Sequence, residues 1–235
     1  MTRQRLHIAI SRIHKLLGLL IGLQLLLWVA GGFIMSFLEI ENVRGEHLRV
    51  DLPQAILKQP ARFPIQNLPD WGTIVGVNYE EFYKVPVYRI TRHEGQTRLY
   101  HAHTGAPLSP LSKEWIKRIA TENFNGSAPI KTIELLSSAA PDFEYRGSFP
   151  IWQVSFNTPD NLNVYISPQT GQVLSWRTDT WRLFDFVWML HIMDYEARDN
   201  FNNPLLLAFS FSAVLFLLTG FFMLWFRLSK RDFKL

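Results

Sequence analysis

The sequence predicts a membrane protein of the α+β class, in which two transmembrane helices flank one extramembrane domain built from two repeats. Residues 16–38 and 205–226 contain no charged side chain, and each run exceeds the roughly 20 residues that cross a bilayer core as a helix. The third observation is an internal repeat between the two runs. A buried core helix is the alternative for each run, and the cations just outside both runs argue against it.

The charge distribution predicts the topology. The first 15 residues carry four basic side chains and no acidic one, and the tail at 227–235 carries four basic side chains against Asp232. Residues 39–200 have a net charge of −3. By the positive-inside rule, we expect both termini in the cytoplasm, the middle domain in the periplasm and the protein in the inner membrane. The basic residues flank the helices, so no nucleic-acid partner is expected.

A cleaved signal peptide is the alternative for the first apolar run. The run is longer than the roughly 7–15 residues of a typical signal core, and no clear A-x-A site follows it. We therefore expect an uncleaved anchor. The chain contains no cysteine, which excludes disulfide and thiolate chemistry.

The repeat lies in the middle domain. Residues 86–90 match residues 150–154, and the Thr-Gly pair at 104–105 matches the pair at 170–171, with nearly constant offsets of 64 to 66 residues. A nearly constant offset over several matches indicates a duplicated structural unit.

Each copy is expected to fold as a helix laid on a small antiparallel sheet. A capping residue and an early proline predict a helix over 51–58, and the apolar spacing predicts a second helix over 113–124 with Trp115, Ile119 and Phe124 on one face. Strands are predicted on both sides of turns at 93–96 and 159–161. Each Thr-Gly pair is then expected to lead into a last short strand.

These segments resemble a known family. The stretches HAHTGAPL at 101–108 and SPQTGQVL at 167–174 are similar to the ending of the PepSY domain. The stretches RIHKLLGLLIGLQLLLWVAGGFIM at 12–35 and WMLHIMDY at 188–195 resemble PepSY-associated transmembrane proteins. Larger members of that group have four helices and include ferric-siderophore reductases that bind haem b, whereas this chain has two helices.

The resemblance implies a division of the chain into seven segments. They are a cytoplasmic N-terminus at 1–15, transmembrane helix 1 at 16–38, PepSY-like repeats at 39–110 and 111–180, an amphipathic interfacial segment at 181–204, transmembrane helix 2 at 205–226 and a cytoplasmic tail at 227–235.

The first candidate site is at the start of helix 1. Spacing of four residues places His14, Gly18 and Gly22 on one helix face, where the glycines leave a groove for a second helix or a flat ring. His14 is therefore a candidate haem ligand, and the resemblance implies haem b. The alternatives are a helix contact at the Gly-x-x-x-Gly motif and a histidine among lipid headgroups.

His191 is the second candidate ligand. It lies in the apolar stretch 184–193 of the segment 181–204, which is expected to form a helix at the outer membrane interface. Trp181, Trp188 and Tyr195 recur seven residues apart, which fits an aromatic belt. His14 and His191 are then separated by about 30 Å, the thickness of the bilayer core. One haem in one chain cannot use both, so bis-histidine ligation requires a homodimer or a partner chain, with transmembrane helix 1 as the expected contact.

Two further patterns can be interpreted either as functional sites or as ordinary structural features. A stripe on helix 1 contains a buried amide, expected to pack on helix 2 or, as an alternative, to contact a quinone; it comprises Gln24, Trp28, Gly31 and Met35, with Ser210, Ser212 or Thr219 as the expected partners. His101 and His103 are predicted on one strand face with His93 across the hairpin, which resembles a copper or zinc site, and the alternative is a solvated face.

No nucleophile elbow, HExxH motif, phosphate-binding loop or dinucleotide fingerprint is present. The sequence therefore favours a non-catalytic accessory or interaction subunit. The first alternative is a haem-b-binding redox subunit of a ferric-chelate reductase system. The second is a periplasmic protease inhibitor or chaperone, because PepSY domains resemble propeptide segments.

Overall fold

The computed structural model describes residues 3–52, 56–57, 59–69, 71–93, 95–138 and 144–227. The chain forms two compact units. One unit contains the two termini, up to Glu39 and from Leu183 onwards, and the other contains Ile40–Arg182.

The two apolar runs are helices α1 (Arg3–Phe37) and α5 (Pro204–Arg227). At 1.5 Å per residue they are about 52 Å and 36 Å long, so each can cross a bilayer core of about 30 Å. Pro204 occupies the first turn, where it costs no hydrogen bond, and the Asn203 side chain caps that turn by accepting from the Leu206 amide at 2.8 Å. The structure also shows that most of the predicted N-terminal segment 1–15 is helical, because α1 begins at Arg3.

α1 and α5 run antiparallel in a defined register. Gly18 faces the Phe216 ring, His14 bonds to Thr219, and the His7 ring lies edge-on to that of Phe226. Continuing this register places the start of α5 near position 29 of α1. The last turns of α1 therefore extend about 12 Å beyond α5.

Helix α4 (Asp179–Ile192) packs against that extension of α1. A Cβ atom at Gly31 would lie 3.2 Å from the Val187 side chain, so the missing side chain allows the close approach. The helix ends at Ile192, and the residues up to Asn203 form a loop. A helix thus covers the predicted apolar stretch up to Ile192, whereas Tyr195 of the predicted aromatic belt lies in the loop and is exposed.

The other unit begins with a short helix α2 (Ile40–Val43) and 3₁₀ turns at Glu46–Leu48, Ile65–Asn67 and Trp71–Thr73. A three-stranded antiparallel sheet follows, in the order β1 (Ile74–Phe82), β2 (Val85–Arg92) and β3 (Thr97–His101). The second sheet is also antiparallel, in the order β4 (Ile130–Leu136), β5 (Ile151–Phe156), β6 (Asn163–Ile166) and β7 (Val173–Arg177).

The two predicted hairpins are confirmed as β2–β3 and β5–β6, and sequence reasoning missed the leading strands β1 and β4. Both Thr-Gly pairs turn the chain with a positive φ, +74° at Gly105 and +67° at Gly171. Glycine adopts this conformation without a Cβ penalty. The second pair leads into β7, as predicted, whereas the first leads only to an isolated bridge between Tyr100 and Pro107.

Helix α3 (Lys113–Asn123) confirms the second predicted helix within one residue. Its buried residues are Ile116, Ile119 and Ala120, while Trp115 is half-buried. One apolar core includes this face together with residues of both sheets: Val87, Leu99, Val154, Val164 and Ile166. The helix predicted at 51–58 lies partly outside the described residues, and its described members are not helical.

Candidate functional site

His14 lies between α1 and α5, with its ring against the second helix. Its Nδ1 atom is 2.9 Å from the Thr219 hydroxyl oxygen and 3.2 Å from the Phe216 carbonyl oxygen. The Thr219 hydroxyl itself donates to the Phe216 carbonyl at 2.8 Å. Since that proton is already used, the hydroxyl oxygen accepts from His14, so this network favours the tautomer with hydrogen on Nδ1.

The other ring nitrogen of His14, Nε2, then carries the lone pair. No hydrogen bond to it occurs within the part of the chain that the structure describes. Histidine ligands of metals commonly have this arrangement, in which one nitrogen donates to an oxygen and the other is available.

The flat group beside His14 is the Phe216 side chain. The two rings stack with their centroids 4.2 Å apart and an angle of 9° between planes. A Cβ at Gly18 would lie 3.1 Å from the Phe216 ring, and one at Gly220 would lie 3.3 Å from the His14 ring. The groove predicted at Gly18 is thus filled by a helix of the same chain, whereas Gly22 has no neighbour within 4 Å among the described residues.

A cleft of about 570 Å³ opens beside His14 between the two helices, and we call it the α1–α5 cleft. Its lining combines basic and polar residues with apolar ones: His7, Ser11, His14, Lys15 and Arg227 with Gly220, Met223 and Leu224. Sequence reasoning missed His7. The signal was its spacing of seven residues from His14, which returns a helix to nearly the same face.

His191 lies in a second polar cluster, where α4 meets α1. Its ring centroid is 5.8 Å from that of Trp28. The Nδ1 atom of His191 and the Nε1 atom of Trp28 are both buried and lack a hydrogen-bond partner among the described residues. Gln24 donates to the Leu190 carbonyl at 3.5 Å, which is a weak bond.

Gln24 forms no hydrogen bond with any of its predicted partners Ser210, Ser212 or Thr219 among the described residues. Thr219 is bonded within the His14 site, and Ser212 donates to the carbonyl of Ala208 in its own helix. Three members of the stripe on α1 contact α4 instead: Gln24 meets the Leu190 carbonyl, Trp28 meets His191 and Gly31 meets Val187.

The two predicted ligands, His14 and His191, are not brought together. His191 contacts Trp28, which is 14 residues and therefore about 21 Å from His14 along α1. The distance is shorter than the expected bilayer thickness, yet much too long for two axial ligands of one iron. His14 and His191 thus lie at separate places, and the histidine that shares the α1–α5 cleft with His14 is His7.

The histidines of the first sheet do not form the predicted strand site. β3 ends at His101, and His103 lies in the following turn, where its amide donates to His101 Nδ1 at 3.1 Å. His93 is at the opposite end of the β2–β3 hairpin. Within the described residues no group of three histidine, cysteine or acidic side chains is placed to hold a metal ion.

The middle domain contains a buried carboxylate that the sequence did not indicate. Glu144 accepts hydrogen bonds from Arg182 at 2.7 Å and from Tyr165 and Asn163 at 2.8 Å each. Burial, reinforced by the negative charge of Glu144, raises the pKa of the Tyr165 hydroxyl well above its ordinary value of 10.0. This cluster ties the start of α4 to β6, and we interpret it as structural.

The comparisons with known proteins give one match. A family model described as the PepSY-associated TM region matches residues 11–235. No curated protein and no solved structure matches the chain.

Proposed function

This chain belongs to the family with a PepSY-associated TM region, and from that premise we propose that it is a non-catalytic accessory subunit of the inner membrane. Its helices α1 and α5 span the bilayer, both termini are cytoplasmic, and the domain of two PepSY-like repeats binds a protein partner in the periplasm. The charge asymmetry supports this orientation, because the basic residues concentrate in the two short ends.

The exposed edge of the first sheet carries this proposal. β1 is the edge strand of the order β1–β2–β3, so one side of its backbone is unpaired within the described residues. Val75 and Val77 of that strand are 63% and 37% exposed. An edge strand with exposed apolar side chains is a template for a strand of another protein.

The test uses full-length protein with a photo-crosslinking residue at position 78, which is an exposed position of β1 next to Val77. A variant with Val75→Lys and Val77→Lys should lose its crosslinked partner in native membranes, because charge on an edge strand opposes strand addition. Leu174→Lys, at an exposed position on the edge strand β7, is the matched control. Equal crosslinking in the two variants would contradict docking at β1.

The identity of the crosslinked protein separates two readings. A membrane subunit supports the accessory role. An exported protease supports the second alternative, a periplasmic inhibitor or chaperone, which would use the same strand edge.

Haem b binding is the second candidate function, and the hydrogen bonding of the His14 ring favours it. Nδ1 is held by Thr219, and Nε2 is left with its lone pair. A haem b there would supply one-electron transfer toward a ferric chelate. A single chain does not fit a bis-histidine haem, however, since His191 is about 21 Å away along α1.

A second copy of the chain or a partner chain must therefore donate the other ligand. Gly22 is an open position where another helix can approach α1 closely. The measurement is a reduced-minus-oxidised visible spectrum of the purified protein from cells supplied with haem precursor. A b-type band that disappears in both His14→Ala and Gly22→Leu, but not in His191→Ala, supports this candidate; a flat spectrum contradicts it for the chain alone.

A further inference from the structure

The α1–α5 cleft collects positive charge that has no counterpart on its two helices. Lys15 and Arg227 line the cleft, and both are exposed. Residues 3–38 and 204–227 contain no aspartate or glutamate. Neither cation forms an ion pair with any residue that the structure describes. An anion for this cleft must therefore come from outside the helix pair.

The helix register places Lys15 at the same depth as the apolar part of α5. Lys15 is next to His14, which bonds to Thr219, whereas the apolar run of α5 continues to Phe226 beside His7. The apolar run thus extends about 10 Å past the level of Lys15. The exposed side chain of Trp225 in that stretch is suited to contact with lipid. A lysine at the same depth is costly in free energy unless it has a polar partner.

The lining of the cleft suits one kind of group. Two cations and the Ser11 hydroxyl offer hydrogen-bond donors to a compact anion, and Met223 and Leu224 offer apolar contacts. The volume of about 570 Å³ lies within the usual range for small-ligand sites. A phosphate with attached apolar chains can contact both the cationic and the apolar lining residues of the cleft.

We propose that the α1–α5 cleft binds the phosphate of an anionic phospholipid, with Lys15 and Arg227 as its cationic contacts and Ser11 as a hydroxyl donor. Basic pockets between transmembrane helices are suited to such headgroups. The site goes beyond the proposed accessory role and depends on neither the β1 edge nor haem. Free phosphate has the same chemistry, but the cleft opens between two lipid-facing helices, which favours the lipid as the source.

The test titrates delipidated full-length protein in detergent with phosphatidylglycerol and counts bound lipid by native mass spectrometry. The variant Lys15→Gln/Arg227→Gln should bind about thirtyfold more weakly, because each lost cation lowers the affinity by about fivefold. Arg12→Gln is the matched control, because Arg12 is an exposed cation of α1 that does not line the cleft; its binding should change less than about threefold. Circular dichroism checks that each variant is folded.

Four results would overturn the proposal. Equal weakening in Arg12→Gln would show diffuse attraction to a basic helix end. Equal affinity for phosphatidylcholine would show that net charge is not read, and displacement of the lipid by excess inorganic phosphate would identify a free anion as the ligand. A haem band from wild-type protein that is lost in Lys15→Gln/Arg227→Gln would assign the cleft to haem.

Discussion

At the scale of single residues, polar side chains in this molecule are placed by contacts that neighbouring sequence does not reveal. Glu144 itself lies outside every described helix and strand, yet it is buried and accepts three side-chain hydrogen bonds. Removing one member of a buried ionic cluster leaves its partners without compensation, which costs more than breaking an exposed pair.

We predict that Glu144→Gln destabilises the protein by about 2 kcal/mol, because Arg182 loses its buried ionic partner and keeps only exposed bonds to Asp179 and the Asn161 carbonyl. Glu122→Gln, in an exposed pair with Arg118 on α3, should cost less than about 0.5 kcal/mol. Thermal unfolding of the full-length variants in detergent, followed by tryptophan fluorescence, measures both. Equal losses would contradict a buried role for Glu144.

At the scale of elements, the loop between α4 and α5 is organised around one aspartate. Asp194 accepts from the amides of Glu196, Ala197, Asp199 and Asn200, and these bonds, with that of Asn200 first, lower its pKa. Such bonds substitute for the helical ladder that stops at Ile192.

We predict that Asp194→Ala increases hydrogen exchange of those four amides in the full-length protein, because they lose their acceptor. A group with a lowered pKa stabilises the folded loop above its ordinary value of 3.8, and that contribution is lost as the pH falls through its folded pKa. Protection should therefore also drop in wild-type protein below about pH 4. Asp199→Ala, an exposed neighbour, is the control, and unchanged protection in Asp194→Ala would refute the assignment.

At the scale of the whole molecule, the chain combines a helix unit with an extramembrane unit of two sheets that share one core. Val87 and Leu99 from the first sheet and Val154 and Val164 from the second are buried in the same cluster. The two repeats are therefore expected to unfold together, because neither half keeps that core without the other.

We predict that single cysteines label according to the proposed orientation, which is a clean test because the chain contains no cysteine. In intact cells, a membrane-impermeant maleimide should modify Ser148→Cys in the middle domain but modify Gln4→Cys only after lysis. Both positions are exposed. Labelling of Gln4→Cys in intact cells would reverse the topology.

The order of elements was predictable because it depends on local patterns. Charge-free runs of over 20 residues, the period of α3 and the two turn-bounded hairpins each leave a signal within a short window. Strands β1 and β4 were not predicted, because the charged residues in IVGVNYEEF and IKTIELL interrupt the alternation of apolar and polar residues.

The sequence by itself determined that this is a membrane protein with two spanning helices, a PepSY-type middle region and a histidine at the mouth of helix 1. Only the tertiary structure decided what those residues contact: Phe216 as the flat partner of His14, α4 rather than α5 beside Gln24, and His7 in the same cleft as Lys15. The physical reason is that helix register depends on side chains far apart in the chain. A shift of a few residues between α1 and α5 changes every partner without changing either pattern.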